Sequence, residues 1–444
     1  MRVGELFRGI GRLCGDLSVP FSGVSIDSRG DCRGKVFFAL RGKRFDGHLF
    51  VEEAFRKGAV AAVVERESGD YPLVVVEDTL DALSHAARRW RDAVSPFVFG
   101  ITGSAGKTTT KEMLHFILGR GARAEKTYAN ENNLIGLPLH LLNMPPDTEV
   151  FVAELGTNSF GEIERLAWVC APDIAVITSV GEAHLEGLGN VEGVFREKVS
   201  ILKHTKRALV FSLTSPFAER ARALCEEMGL SFVGVGGEDA WFEEVEPGVY
   251  RFHLFGEEAL LTAAFCGRHM GEDALLALAA AHIYGVPLEE AVAALGDFEP
   301  VAGRFSLKRL NGLLLIDDTY NANPISTRAA LDYLGGISGR KLFVFGDMLE
   351  LGPESHRLHR EIGEYALGRV DFMLTLGEYA ASALDAFRRG GGRGVHCGGH
   401  QEALEVLSSV LGDFDVVLVK GSRGMKMERI VEGIEGCSGS FCSS

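Results

Sequence analysis

Residues 102–112 read Thr-Gly-Ser-Ala-Gly-Lys-Thr-Thr-Thr-Lys-Glu and follow the apolar run Phe97-Val98-Phe99-Gly100-Ile101. A strand that breaks into a glycine loop and resumes as a helix belongs at the carboxyl edge of an α/β sheet. Gly103 and Gly106 let the backbone turn tightly, and with Ser104 and Ala105 they bring N–H groups toward phosphate oxygens. Lys107 can reach β- and γ-phosphates, and the Thr108 hydroxyl can hold Mg²⁺. Thr109 stands in the first turn of a helix predicted to begin near Lys107, whose N-terminal dipole favours the same anion. The loop departs from G-x-x-x-x-G-K-[ST], because its first glycine lies three residues before Gly106 and not five. The strand before it and the helix-like TTTKEMLHFIL after it distinguish it from an ordinary glycine loop, so ATP with Mg²⁺ is the expected ligand.

At 444 residues the chain exceeds one ordinary core and predicts two to four domains. A net charge of −15 argues against a nucleic-acid binder. Eight cysteines without a C-x-x-C pair suggest neither a zinc cluster nor a disulfide framework, and reduced thiols in a cytoplasm are the simplest account. The opening MRVGELFRGIGRL has no signal-peptide apolar core, and the apolar stretch Ala274 to Val286 is too short to span a bilayer.

Three regions separate by pattern: residues 1–82, 83–300 and 301–444. The first holds short β-like runs at 36–40, 60–64 and 72–76, and a helical stretch, Ala82 to Val94, follows. The second has apolar runs at 97–102, 150–155, 174–180 and 208–213, which suit a parallel sheet covered on both faces. The segment 231–265 alternates and predicts an antiparallel insert. After a hinge at 300–303, strands at 313–317, 341–345, 372–376 and 416–420 predict a smaller α/β domain. The run 388–394 reads as a glycine loop, and the Cys-Ser-Gly-Ser tail as frayed.

Chemistry-bearing residues gather at the predicted strand ends. Glu154 ends a central strand in Ala153-Glu154-Leu155-Gly156-Thr157-Asn158; it is either a Mg²⁺ ligand or a solvated strand-end carboxylate. His184 follows the 174–180 run and is either a ligand or a structural hydrogen-bonder. Lys198 lies on a predicted helix and reads on its own as a surface lysine. Asp317-Asp318-Thr319-Tyr320-Asn321-Ala322-Asn323 crowds carboxylates and carboxamides at a strand tip, as a ligand site or a turn does. Arg304 follows the hinge glycine and either reaches back to phosphate or is solvated. The loop containing Asn130, Asn132 and Asn133 can cap the next helix or touch substrate.

Together the strings TGSAGKTTTKE, NENNLIGLP, AELGTNSFGEI, DDTYNANPISTRAAL, GDMLELG followed by His359, and KGSRGMKME resemble the Mur ligase family over nearly the whole chain. That resemblance implies three α/β domains: a small mixed UDP-binding domain, a central P-loop parallel-sheet ATPase domain and a C-terminal Rossmann-like domain. It implies an ATP-dependent ligase of peptidoglycan synthesis, most like the member joining D-alanyl-D-alanine to UDP-N-acetylmuramoyl-tripeptide through an acyl phosphate. A monomer with no nucleic-acid partner and no membrane insertion is expected. By position, Lys107 and Thr108 would bind phosphate and Mg²⁺, Glu154 and His184 would be Mg²⁺ ligands, and Lys198 matches a lysine that is carbamylated in the family. Arg304 and Asp318 would hold ATP after domain closure. Ser28, Arg29, Asp46 and His48 would line the UDP-sugar site, and Asn132, Asn133, Thr157, Asn158, Tyr320, Asn321 and Asn323 would contact substrate. Where the family has an adenine-contacting Asn after Gly-x-His, this chain has Asp273, which when ionised accepts but cannot donate. The competing readings are a sister ligase adding diaminopimelate or lysine, a folylpolyglutamate synthetase, a nucleotide-switch ATPase, and a vestigial phosphate loop.

Overall fold

The computed structural model describes residues 1–42, 45–67, 69–128 and 131–438. Asn130 and the end of the tail therefore lie outside the described residues, as do Cys437 and Ser438 for their side chains. Among the described residues, four sheets organise the chain. The N-terminal sheet has five strands in the order Arg12–Cys14, Leu73–Val75, Ala61–Val64, Val36–Phe38, Val24–Ser25; the first pairs antiparallel and the others parallel.

The central sheet is wholly parallel, in the order Ser231–Val235, Ala208–Ser212, Ile174–Ile177, Phe97–Thr102, Val150–Glu154, Ala124–Lys126. Apart from the part-exposed Phe97, the strands Phe97–Thr102, Val150–Glu154 and Ile174–Ile177 are buried, as their continuous apolar runs require of a sheet covered on both faces. The predicted antiparallel insert is shorter than expected. Ser231–Val235 joins the parallel sheet as an edge strand, and the antiparallel meander is confined to Ala240–Glu246, Val249–Leu254 and Glu257–Thr262.

The last sheet runs Ser306–Leu310, Leu313–Asp318, Val416–Lys420, Lys341–Gly346, Phe372–Leu376, Arg393–Cys397, with only the first pair antiparallel. The run read as a glycine loop at 388–394 is instead the end of the helix Ala380–Arg389, a short turn and the start of this edge strand.

The helix Thr79–Val94 is N-capped by Asp78, whose carboxylate accepts from Leu80 and Asp81 N–H. The expected boundary at residue 82 falls inside this helix, and its buried face explains why. Ala82, Leu83, Ala86, Ala87 and Trp90 share one apolar cluster with Val36, Phe38 and Val63 of the first sheet and with Val98, Phe151 and Ile177 of the central sheet. The first two regions therefore meet over a continuous core. No helix among the described residues is long and apolar enough to cross a membrane.

Candidate active site

Strand order brings the motifs together. Phe97–Thr102 lies between Ile174–Ile177 and Val150–Glu154, so the phosphate loop, Glu154 and the segment leading to His184 emerge side by side. In the last sheet Asp318 pairs in register with Lys420, and Lys420 with Phe345. The carboxyl ends of both sheets line one cleft of about 470 Å³.

The loop geometry depends on its two glycines. Gly106 has φ +82°, and a Cβ there would stand 2.1 Å from Asp273 Oδ1; a Cβ on Gly103 would meet Thr178 Oγ1 at 1.9 Å. The helix Lys107–Leu118 begins as expected. Lys107 folds back on its own loop, its Nζ donating to Gly103 O at 2.7 Å. Burial pushes its ammonium below the ordinary value. Ser104 N–H donates to Ser179 O, and Ala105 N–H to Ser179 Oγ at 2.8 Å.

Glu154 is 2% exposed and accepts from Thr108 Oγ1 and from Asn132 Nδ2, both at 2.8 Å. Lys111, which sequence reasoning passed over, is wholly buried; its Nζ donates to Thr127 O at 2.9 Å and lies 3.5 Å from Glu154 Oε2. Two buried groups of opposite charge thus compensate each other beside the loop. Lys198 is also buried, and burial followed by the nearby Lys107 charge drives its pKa well below the ordinary value. Its neighbour Glu197 accepts from Gly161 and Ile163 N–H and from Thr157 Oγ1, fixing the loop that carries Asn158.

From the third region, Arg304 stacks its guanidinium 3.8 Å from the Tyr320 ring centroid and points into the cleft with its Nε unpartnered. Asp318 is held by the buried Lys420, which also donates to Asn321 O at 3.1 Å. Lys420 was not singled out from sequence, although its place at the end of the 416–420 run was the available signal. Asp317 braces the turn, accepting from Thr319 Oγ1, and pairs with Lys308 at 3.9 Å. Burial lowers the His269 pKa to about 4, leaving a neutral imidazole. Burial pushes Asp273 well above the ordinary carboxyl value, and its Oδ1 accepts from Thr110 Oγ1 at 3.3 Å. Thr109, Asn158, Tyr320 and Asn321 line the same cleft.

Several expected substrate ligands are otherwise engaged. Asn133 Oδ1 accepts from Ile135 and Gly136 N–H, so its side chain caps the helix Gly136–Asn143. Asn323 caps the helix Pro324–Gly336 through Oδ1 and spends Nδ2 on Ser104 O at 2.9 Å. In the N-terminal region, Ser28 Oγ donates to Glu53, and Arg29 pairs with Asp27. His48 uses both ring nitrogens, Nδ1 against Asp46 at 2.6 Å and Nε2 as acceptor for Glu65 N–H at 2.9 Å. It therefore positions Asp46 and has no ring nitrogen left for a ligand. None of Ser28, Arg29, Asp46 and His48 lines the cleft between the sheets.

The donors present suit Mg²⁺. Among the described residues no three His, Cys, Asp or Glu side chains cluster as a ready cage. A hydroxyl, one carboxylate with free lone pairs and a nearby imidazole are what a cation keeping several waters and phosphate oxygens requires.

The sequence profile of the Mur ligase middle domain matches residues 101–281. That of the Mur ligase, glutamate ligase domain matches 303–423, and that of the Mur ligase family, catalytic domain matches 20–91. The UDP-N-acetylmuramoyl-tripeptide–D-alanyl-D-alanine ligase of Bacillus subtilis (strain 168) is 35% identical over 430 residues, 93% of each chain. Its Haemophilus influenzae counterpart is 32% identical over 442 residues, 96% of each. The crystal structure I of MurF from Acinetobacter baumannii superposes with TM-score 0.91 at 31% identity over 98% of each chain. MurF ligase from Thermotoga maritima in complex with ADP superposes at 0.84, with 29% identity over 95% of this chain and 98% of that one. Profiles spanning all three regions and full-length likeness to solved members give one conclusion: the chain belongs to the Mur ligase family.

Proposed function

We propose that this chain is the ATP-dependent ligase that joins D-alanyl-D-alanine to UDP-N-acetylmuramoyl-tripeptide, giving the UDP-linked pentapeptide for peptidoglycan synthesis in the cytoplasm. The observation that carries it is a phosphate loop facing a second set of charged strand ends across one cleft, in a chain similar throughout to ligases of that name. A nucleotide switch needs no such second set. The working units follow 1–82, 83–300 and 301–444, with the helix Thr79–Val94 bridging the first two.

The loop N–H groups and Lys107 hold the ATP phosphates, and Arg304 and Asp318 close over the nucleotide. Thr108, Glu154 and His184, which line the cleft, would hold Mg²⁺, and the buried Lys198, once carbamylated, would add a further anionic ligand. When bound, Mg²⁺ offsets negative charge gathering between the tripeptide carboxylate and the γ-phosphate. The carboxylate oxygen attacks the γ-phosphorus, ADP leaves and an acyl phosphate forms. The dipeptide amine then attacks the acyl carbon, loses a proton and expels phosphate. Closure of the third region excludes water that would hydrolyse the acyl phosphate.

The test is phosphate release with ATP, Mg²⁺ and UDP-N-acetylmuramoyl-tripeptide, with and without D-alanyl-D-alanine, and mass detection of product. Dipeptide-dependent release with the pentapeptide supports the reading. Release without an amide product indicates a switch, and release only with another amine indicates a sister ligase.

A further inference from the structure

Among the contacts that cross from the last sheet's region to the phosphate-loop region, three lie beside the cleft. Asn323 Nδ2 donates to Ser104 O, and Glu186 N–H donates to Glu350 O at 3.2 Å. The third involves a side chain whose partner is a proposed cation ligand: His184 Nδ1 lies 2.7 Å from Glu350 Oε2. His184 has φ +52° and Glu350 has φ +64°. Two non-glycine residues in the left-handed region thus face each other across the cleft, and such strain persists only where the surroundings over-determine it.

The surroundings of Glu350 do so. Met348 N–H donates to His359 Nε2 at 2.9 Å, and Leu349 N–H to Ser422 Oγ at 2.8 Å. Asp347 Oδ1 accepts from Tyr379 and Ala380 N–H. Every one of these anchors belongs to the last sheet's own region, so the carboxylate is presented on a rigid support that moves with that region. The backbone bond from Glu186 and the Asn323 bond already hold the two faces together, which leaves the Glu350 carboxylate for another task.

We propose that Glu350 is the positioning residue for His184: its carboxylate accepts a hydrogen bond from Nδ1–H and turns Nε2 toward the cation, so the ligand is aligned only when the two regions are closed. The proposal rests on the reading of His184 as a Mg²⁺ ligand. A metal-bound imidazole needs its second nitrogen donated to a fixed acceptor, which sets both tautomer and ring plane. The contact is short but bent, since Nδ1 has no well-aligned acceptor. Active-site hydrogen bonds commonly straighten only when the ligand is bound. Closure and cation binding are then one event, because the third region supplies an orienting group to a ligand it does not itself carry.

The test uses Mn²⁺ in place of Mg²⁺, titrated by electron paramagnetic resonance into the full chain saturated with a non-hydrolysable ATP analogue. Glu350→Ala is expected to weaken Mn²⁺ binding by about tenfold, the usual effect of losing a group that orients a metal ligand. Glu350→Gln, which keeps an acceptor oxygen, is expected to retain most of the affinity, and His184→Ala to lose at least as much as Glu350→Ala. Wild-type Mn²⁺ binding in Glu350→Ala, with binding weakened in His184→Ala, overturns the proposal and leaves the site reading intact. Wild-type binding in His184→Ala overturns the ligand reading itself. A loss in Glu350→Gln equal to that in Glu350→Ala overturns the hydrogen-bonding role.

Discussion

Lys198 places the strictest chemical demand on a single residue. Its amine is 1% exposed, lies near the Lys107 charge, and is held toward the neutral form by burial. An ammonium would repel the cation the site is built for, whereas a neutral amine can attack the carbon of CO₂, release one proton and become an anionic carbamate. Lys198→Ala is therefore expected to lower kcat by at least about tenfold, as loss of a metal-site group does. Acetate in the buffer should restore part of that loss. An alanine variant with full turnover would rule the carbamate out. The sequence alone presents Lys198 as a surface lysine, and only the family resemblance raised it. Lys111 shows the opposite case. Nothing within its own helix marks it as buried, because its partners Thr127 and Glu154 arrive from other elements. Glu350 lies in a motif visible in the sequence, yet its contact with His184 joins positions far apart in the chain.

Among the elements, the segment 347–350 depends on His359. That imidazole is fully buried, donates from Nδ1 to Ser355 O at 2.6 Å and accepts from Met348 N–H. Burial lowers its pKa from 6.5 to about 4. Between those values the unfolded chain binds the proton and the folded one does not, so stability is complete above pH 6.5 and falls as pH drops toward 4. The full loss is about 3 kcal/mol. Urea midpoints at pH 7 and pH 5 test it, and the difference should shrink in His359→Gln. The inner strands of both large sheets were legible because doubly covered strands are apolar without interruption. The edges were not. Ser231–Val235, Ser306–Leu310 and Arg393–Cys397 mix polar and apolar residues because only one side is paired and part of each face meets water. That is why 231–235 was read with the antiparallel meander and the start of 393–397, within 388–394, as loop.

At the scale of the whole molecule, the continuous core around Thr79–Val94 joins the first two regions, a second apolar cluster runs from the central region into Phe305, Leu331 and Phe343 of the third, and the cleft opens between those two. Nucleotide and Mg²⁺ should therefore stabilise the third region against the rest. Calorimetry with a non-hydrolysable ATP analogue should show an upward shift worth about 2.7 kcal/mol at a hundred times Kd, lost when EDTA is added. No shift with the analogue would contradict nucleotide binding in this cleft.

The phosphate loop is hydrogen-bonded within the protein: Lys107 to Gly103 O, Ser104 N–H to Ser179 O, Ala105 N–H to Ser179 Oγ, and Thr108 to Glu154. An incoming nucleotide enters an exchange in which old bonds are surrendered as new ones form, and the net gain is smaller than a count of contacts implies. The same internal bonds stand ready when spent nucleotide departs. They lower the free energy of the vacated loop, and so favour a site that empties and reloads over one that traps its product.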